Sequence, residues 1–228
     1  MISAFKAHWR LALCACLLSL GLLVFHAATG TPDGNSYKYN LPWFDAFHSA
    51  FWQGELYPRF SPDLWYGMGA LDFYFYAPLP FWIASTLGAA TCPGCDTGTV
   101  FAVSGAWITI TSGIAFFFFA RRFFNTQWSG IGAIIYALLP YHYVADWFDR
   151  QAIGEMTAYI FIPLIALGTT RLLEDRKGGI LFAVSVAGLA FSHLPSTLIV
   201  GHLIAAVIVW MAIQQTSWRH RLELMTRF

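Results

Sequence analysis

The sequence predicts an all-α, polytopic membrane protein with about six transmembrane helices and a large extracytoplasmic first loop that contains juxtamembrane helices. Three observations lead there. Hydrophobic residues make up 57% of the 228 residues and charged residues only 11%, a balance too apolar for an ordinary soluble domain. Long apolar runs alternate with short charged loops, as in chains that cross a bilayer repeatedly. The Lys and Arg residues of those loops fall on one side of the membrane once a single short run, residues 81–90, is read as lying at the interface. A net charge of +1 with no basic face excludes nucleic acid as a partner and leaves the lipid bilayer as the partner composition implies. Nothing in the sequence singles out a protein partner.

Lys6 and Arg10 precede the apolar run 11–28, about the ~20 residues a span needs, with Trp9 at its edge as an interfacial anchor. Residues 1–28 read as the first transmembrane helix with its N-terminus inside. A basic start, an apolar core and the small residues Ala27 and Ala28 fit a signal peptide as well. Both readings deliver Thr29 to the extracytoplasmic side, and residues 29–98 form the outer loop. Within it, Leu41, Phe44, Phe47, His48 and Phe51 recur at helical spacing, with Pro42 near the start where proline is tolerated, so 41–52 reads as an amphipathic helix at the interface. Gly54, Pro58, Pro62, Gly67 and Gly69 then break regular structure, and Tyr57, Trp65, Tyr66, Tyr74 and Tyr76 stud the loop with rings that belong at headgroup depth. The stretch 37–80 alone is both aromatic-rich and dense in ionisable groups, which makes it the expected working surface.

Pro78 and Pro80 interrupt the next apolar block, and a run of 10 to 14 residues is more often interfacial than spanning. With 81–90 taken as juxtamembrane, residues 99–228 form a helical bundle that is open to continuation past the chain end. Residues 99–119 run inward to Arg121 and Arg122, and 129–145 run outward to Asp146, Asp149, Arg150 and Glu155. Residues 156–170 return to Arg171, Arg176 and Lys177, 180–191 run outward to His193, and 197–214 return to Arg219, Arg221 and Arg227. Counting 81–90 as a span would invert every one of these loops.

Cys92 and Cys95 stand three apart in a loop, a spacing that serves a disulfide, half of a zinc site or a redox motif. With no second such pair and no thioredoxin-like pattern, a local disulfide is expected. Cys14 and Cys16, inside an apolar run, read as small buried thiols.

The predicted topology gathers Asp33, the 37–72 loop, residues 146–155, His193 and the Cys92 loop on one face. Carboxylates there can hold a divalent metal against a phosphate or act as general base, and Asp33, Asp146 and Glu155 are candidates. Arg59 and Arg150 suit a phosphate, which guanidinium binds through two parallel hydrogen bonds, while aromatics such as Tyr66 suit stacking on a sugar. Plain structural roles compete with each. Asp33 sits in a good turn sequence; Asp146 and Asp149 with Arg150 fit a helix-end ion pair; Glu155 opens a helix and complements its dipole; His193 fits a cap. No HxxH or HExxH spacing points to a zinc enzyme, and the Gly67–Gly69 bend lacks the Gly-Lys-Ser/Thr of a phosphate loop.

The residues GELYPRFSPDLWYGMGALDFYFYAPLPFW, LLPYHYVADWFDRQAIGEMTAYIFIPL and FSHLPS resemble a group of bacterial multi-spanning membrane proteins allied to the GT-C glycosyltransferases, the group labelled as membrane proteins related to 6-pyruvoyl-tetrahydropterin synthase. The resemblance covers residues 54–195. It implies an enzyme of the bacterial inner membrane that transfers a sugar from a polyprenyl-phosphate donor to an envelope acceptor on the extracytoplasmic face. It further implies a catalytic or metal-binding acid soon after the first span, for which Asp33 is the nearest match, and roles for Arg59, Arg150, Glu155 and His193. Asn35-Ser-Tyr-Lys-Tyr-Asn40 stands where such relatives carry an acid and a histidine. A non-catalytic lipid- or glycan-binding protein of envelope biogenesis is the alternative, whereas a transporter would place its charges near mid-membrane.

Overall fold

The computed structural model describes residues 2–175 and 177–214; Arg176 and the basic tail with Arg219, Arg221 and Arg227 lie outside them. In order, the elements are α1 (Ile2–Thr29), α2 (Tyr37–Trp52), the short turns α3 (Leu64–Gly67) and α4 (Asp72–Phe75), α5 (Leu79–Ile83), a π-turn π1 (Ala84–Gly88), α6 (Ala89–Thr91) and α7 (Thr97–Ala120). After these come α8 (Thr126–Ala137), a π-helix π2 (Tyr141–Asp149), α9 (Ile153–Asp175), α10 (Gly179–Ala190) and α11 (Leu194–Gln214). The described chain is all-helical, and its isolated β-bridge joins Ser61 to Ala70.

Among the described residues, four helical segments are long and apolar enough to cross a membrane: Leu11–Thr29, Thr97–Ala120, Ile153–Glu174 and Leu194–Gln214. The other two apolar stretches form shorter helices. α8 and α10 have 12 residues each, or about 18 Å at the helical rise, against a hydrocarbon core of ~30 Å. The apolar run 129–145 is therefore not one helix. α8 stops at Ala137, and Pro140, which has no N–H and crowds the preceding turn, resets the chain into π2. Residues 81–90 fall within the broken helix α5–π1–α6, which lies along the start of α7, close enough that a Cβ at Gly88 would stand 2.7 Å from the Val100 carbonyl.

Small residues set the helix packing. A Cβ at Gly113 would stand 3.2 Å from that of Ala137, one at Gly168 2.9 Å from the Phe182 backbone, and one at Gly188 2.2 Å from the Phe161 ring, so α7 meets α8, and α9 meets α10, almost backbone to backbone. These pairs run antiparallel. α1 also runs antiparallel to α7, since His26 reaches Ala102 while Leu11 covers Gly130 near the far end. α7 and α9 run parallel, with Arg122 paired to Glu174 where both end. One end of the bundle thus gathers the end of α1, the start of α7, the π2–α9 turn and the α10–α11 turn.

The outer segment is fastened there by aromatic packing. On α2 the expected apolar face is real: Phe44 and Phe47 are fully buried. Phe73 meets the Phe47 and Phe81 rings edge-on, each with centroids 4.9 Å apart, and Phe44 meets Phe101 of α7 at 5.0 Å. Edge-on contacts of this kind contribute about 0.5–1.5 kcal/mol each beyond area burial. Cys14 and Cys16 are exposed on the surface of α1, not buried, because α1 presents most of its length outward.

Candidate functional site

The gathered end of the bundle carries a dense set of charged and phenolic groups. π2 and the first turn of α9 supply it. A wider helical turn at 141–149, followed by the tight 149–153 bend, brings Tyr141, Asp146, Arg150 and Glu155 together. Arg150 Nη1 donates to Asp146 Oδ1 at 2.8 Å, to Glu155 Oε2 at 2.9 Å and approaches the Tyr141 hydroxyl at 3.2 Å. Tyr159, one helical turn beyond Glu155, donates its hydroxyl to Asp146 Oδ2, and the Tyr141 hydroxyl donates to Glu155 Oε1 at 3.1 Å. His142 stacks on Tyr159 with ring centroids 3.6 Å apart, its Nδ1 on the Tyr136 carbonyl, which fixes the ring.

Burial grades the three charges. The Asp146 side chain is wholly buried, Glu155 is 17% exposed and Arg150 is 40% exposed. Burial pushes the Asp146 carboxyl above its ordinary range, with Glu155 adding to the effect while Tyr159 and Arg150 oppose it. Burial by itself would lower the Arg150 guanidinium, but the Glu155 and Asp146 carboxylates outweigh it and hold the arginine charged. The set carries one surplus negative charge when both acids are ionised, and of the two acids Glu155 is the one that reaches solvent.

Two further groups close on Glu155 across Gly154. A Cβ at Gly154 would stand 3.0 Å from the Ser192 carbonyl, 3.1 Å from the Tyr76 hydroxyl and 3.6 Å from the His193 ring, so glycine lets the α10–α11 turn and the 76–79 segment reach the head of α9. Leu79 N–H binds the Phe191 carbonyl at 3.0 Å and secures the same junction. Tyr76 is pushed up to about 12 by burial and by the Glu155 charge. His193 is held below its ordinary value by burial, against the pull of Glu155, and its Nδ1 meets Ser196 Oγ at 2.7 Å.

The bend itself is strained. Gln151 is fully buried at φ +52, a left-handed conformation uncommon outside glycine, and neither atom of its side-chain amide has a hydrogen-bond partner. Its carbonyl accepts from Asn40 Nδ2 at 2.6 Å, and Asp149 and Arg150 carbonyls accept from the N–H groups of Asn35 and Ser36. The segment that follows α1 is thereby sewn to the bend. A Cβ at Gly34 would stand 3.0 Å from that backbone.

Of the residues singled out by sequence, Asp146, Arg150, Glu155 and His193 come together here. Asp33 lies one residue from the backbone that touches the bend, but its side chain is exposed and makes none of the network's bonds. Arg59 and Tyr66 are elsewhere: Arg59 lies over the Tyr57 and Tyr74 rings at 5.7 and 5.1 Å, and Tyr66 is fully exposed. Cys92 and Cys95 are joined by a disulfide in the loop before α7. Among the described residues no three His, Cys, Asp or Glu side chains gather as they would around a metal ion.

Sequence reasoning missed Tyr141, Tyr159 and Tyr76 as members of the site, and it missed His26. His26 is fully buried, with Nδ1 on the Ala102 carbonyl at 2.8 Å, Nε2 on the Tyr143 hydroxyl at 3.0 Å, and its ring stacked on Trp147 at 5.2 Å. It ties α1 to both α7 and the helix that carries Asp146. Trp147 in turn lies across Gly105, where a Cβ would stand 2.6 Å from the ring. The chain matches no protein-family model, no curated protein and no solved structure.

Proposed function

We propose that this end of the bundle is the reaction end of a membrane glycosyltransferase-like protein, one that moves a sugar from a polyprenyl-phosphate donor to an envelope acceptor on the extracytoplasmic face of a bacterial inner membrane. In that reading about six apolar segments cross the bilayer, the two short helices among them. The observation that carries it is Glu155: a carboxylate partly open to solvent, oriented by Arg150 and Tyr141, and bordered by Tyr76 and His193. Glu155 takes the proton of the acceptor hydroxyl as the new bond to the anomeric carbon forms, and the bond from that carbon to the phosphate oxygen breaks to release polyprenyl phosphate. Asp33, next to the bend, is the second acid, whereas Arg59 and Tyr66 stand apart from this end and take no part in the step. An apolar groove of about 380 Å³ between α1, α7 and α8, lined by Leu18, Leu22, Ile114, Phe117, Ile134 and Leu138, supports a substrate with a hydrocarbon tail. The disulfide supports an oxidising side for the outer loop.

A second reading has a specific observation in its favour. The bonds of Arg150 to two carboxylates and a phenol all use Nη1, which leaves Nη2 and Nε of a 40% exposed guanidinium to hold a phosphate in a lipid- or glycan-binding protein that does not turn over. Sugar transfer from a panel of polyprenyl-phosphate hexoses, measured in nanodiscs with bacterial lipid acceptors, separates the two. Transfer lost in Glu155→Gln supports the enzyme; binding of polyprenyl phosphate without transfer, unchanged by Glu155→Gln, replaces it with the binding protein. Sidedness is tested in cells with single reporter cysteines. Labelling from outside at Asp63 and Asp149 but not at Gln127 and Lys177 supports the topology, and the reverse pattern overturns it.

A further inference from the structure

The outer loop holds a feature that the proposed chemistry does not use. Ser61 and Ala70 exchange backbone hydrogen bonds of 2.9 and 3.0 Å, closing residues 62–69 into a finger. Its base is fixed: Ser61, Ala70 and Pro58 are buried, the Phe60 ring fills the place of a side chain at Gly69, and Tyr57 donates to the Phe73 carbonyl at 2.9 Å. Its tip points outward: Trp65 is 50%, Met68 78% and Tyr66 102% exposed, and Phe75 beside the base is 80% exposed. Trp65 and Tyr66 hold left-handed backbone at φ 54 and 60, a conformation ordinary residues avoid because the Cβ crowds the following carbonyl. A soluble surface gains nothing from presenting these side chains on a strained, well-anchored turn.

The surroundings name what covers the tip. The chain on either side of the finger rests on α5, through the Trp82 indole on the Leu56 carbonyl at 2.7 Å and the Phe73 ring on Phe81 at 4.9 Å, and α2 before it is tied to π1 by the Trp52 indole on the Ser85 carbonyl at 3.2 Å. That broken helix packs on the first turns of α7, a helix long and apolar enough to span, so the finger stands at the depth of a span's end. Trp, Tyr and Met with one arginine lying on tyrosine rings is the side-chain set of a membrane interface, where amphipathic rings sit among headgroups. Residues 55–75 carry Glu55, Asp63 and Asp72 against Arg59 alone, so attraction to an anionic surface does not drive the contact.

We propose that the 62–69 finger is a membrane-dipping anchor that seats Trp65, Tyr66 and Met68 in the headgroup region of the bilayer its own helices cross, and that Tyr66 there contacts lipid. The anchor holds the outer loop down on the membrane at a point separate from the spanning helices. This rests on the loop's geometry and stands whether or not the protein transfers sugars.

The test uses the full chain in nanodiscs of zwitterionic lipid, with Cys14→Ala and Cys16→Ala and the disulfide left intact. An environment-sensitive fluorophore is placed at Tyr66→Cys, and in a parallel sample at the exposed Asp33→Cys. With burial of ~5–10 Å expected for interfacial side chains, the label at 66 is blue-shifted relative to that at 33. Spin-labelled lipid quenches it more strongly with the nitroxide near the headgroup than near the chain end, and aqueous iodide quenches it less than it quenches the label at 33. Raising salt leaves this pattern unchanged. A second sample with the fluorophore at Phe75→Cys and W65S/M68S in the exposed tip loses part of the lipid quenching while its thermal unfolding is unchanged. A label at 66 that emits as in water, is quenched by iodide and ignores both lipid quenchers overturns the proposal and leaves the finger as a surface facing solvent or a protein. Lipid quenching that appears only with anionic lipid and vanishes in salt overturns it too.

Discussion

Replacing Arg150 by glutamine leaves two carboxylates facing each other with their shared cation gone. The Asp146 side chain is wholly buried and that of Glu155 is mostly so. Removing one partner of a buried ion pair typically costs ~3–5 kcal/mol, and the 40% exposure of Arg150 lets solvent screen part of that, so a loss of about 2–3 kcal/mol is expected. That corresponds to a fall of ~30- to ~140-fold in the folding constant. The loss should also depend on pH with a definite sign. The Asp146 carboxyl is already raised by burial and is raised further without Arg150. A carboxyl whose pKa is higher in the folded state favours folding below its unfolded value, and that advantage disappears as pH rises through the folded value. Arg150→Gln should therefore unfold much more easily than wild type near pH 8 and recover much of the difference near pH 5. Adding Asp146→Asn, which keeps the hydrogen bond from Tyr159 without the charge, should restore most of the stability at the higher pH. Mixed-micelle unfolding followed by tryptophan emission at both pH values gives the answer. An equal deficit at both, or a double variant no better than the single one, would refute the view that the buried Asp146 charge is what Arg150 stabilises.

Glu155→Gln should abolish sugar transfer while shifting unfolding by no more than ~1 kcal/mol, since the amide keeps the Tyr141 hydroxyl as a partner; parallel transfer and unfolding assays check both halves. Gly105→Val places carbon inside the Trp147 ring and should cost ~1–3 kcal/mol, with Gly21→Ala in open space on α1 as a near-neutral control by the same unfolding assay. His193 is held neutral by burial, so stability present above its ordinary pKa of 6.5 should fall as pH drops below that value toward the lowered one. His193→Gln should flatten this part of the pH profile of unfolding without changing stability near pH 8 beyond ~1 kcal/mol.

The parts of this protein that were legible in its sequence are those set by period and composition. Phe44 and Phe47 recur at helical spacing and are the buried face of α2. Asp146 and Arg150 lie one turn apart, and Glu155 is close enough in sequence to join them whatever the fold. Tyr159 and Tyr141 escaped notice because a phenol in an aromatic-rich chain carries no signal of its own, and their roles come from the wider winding of π2, which residue spacing at the α-helical period does not reveal. The run 129–145 is apolar throughout, and the break at Ala137 follows from Pro140, whose effect on the preceding turn hydropathy does not register. His26 was detectable in principle: an ionisable ring inside an apolar span is costly unless partnered, and that cost was itself the clue. His193 stood out as an ionisable residue at an expected outer turn, but Tyr76 required the glycine at 154, whose meaning lies in what approaches it from elsewhere in the chain.

The hydrogen bonds of His26 have a bearing on biogenesis. Its two partners lie 76 and 117 residues downstream, and the bond from Asn40 to Gln151 spans 111. Translation proceeds at roughly 5–20 residues per second, so α1 is in the bilayer for several seconds with a bare imidazole before Ala102 emerges, and longer before Tyr143 does. During that interval the nascent chain carries an unsatisfied polar group in its first helix, a recognisable handle for insertion factors and for quality control alike. The handle disappears when the Tyr143 hydroxyl reaches the ring, at the start of the same helix that carries Asp146, so the ring is satisfied only as that helix takes its place.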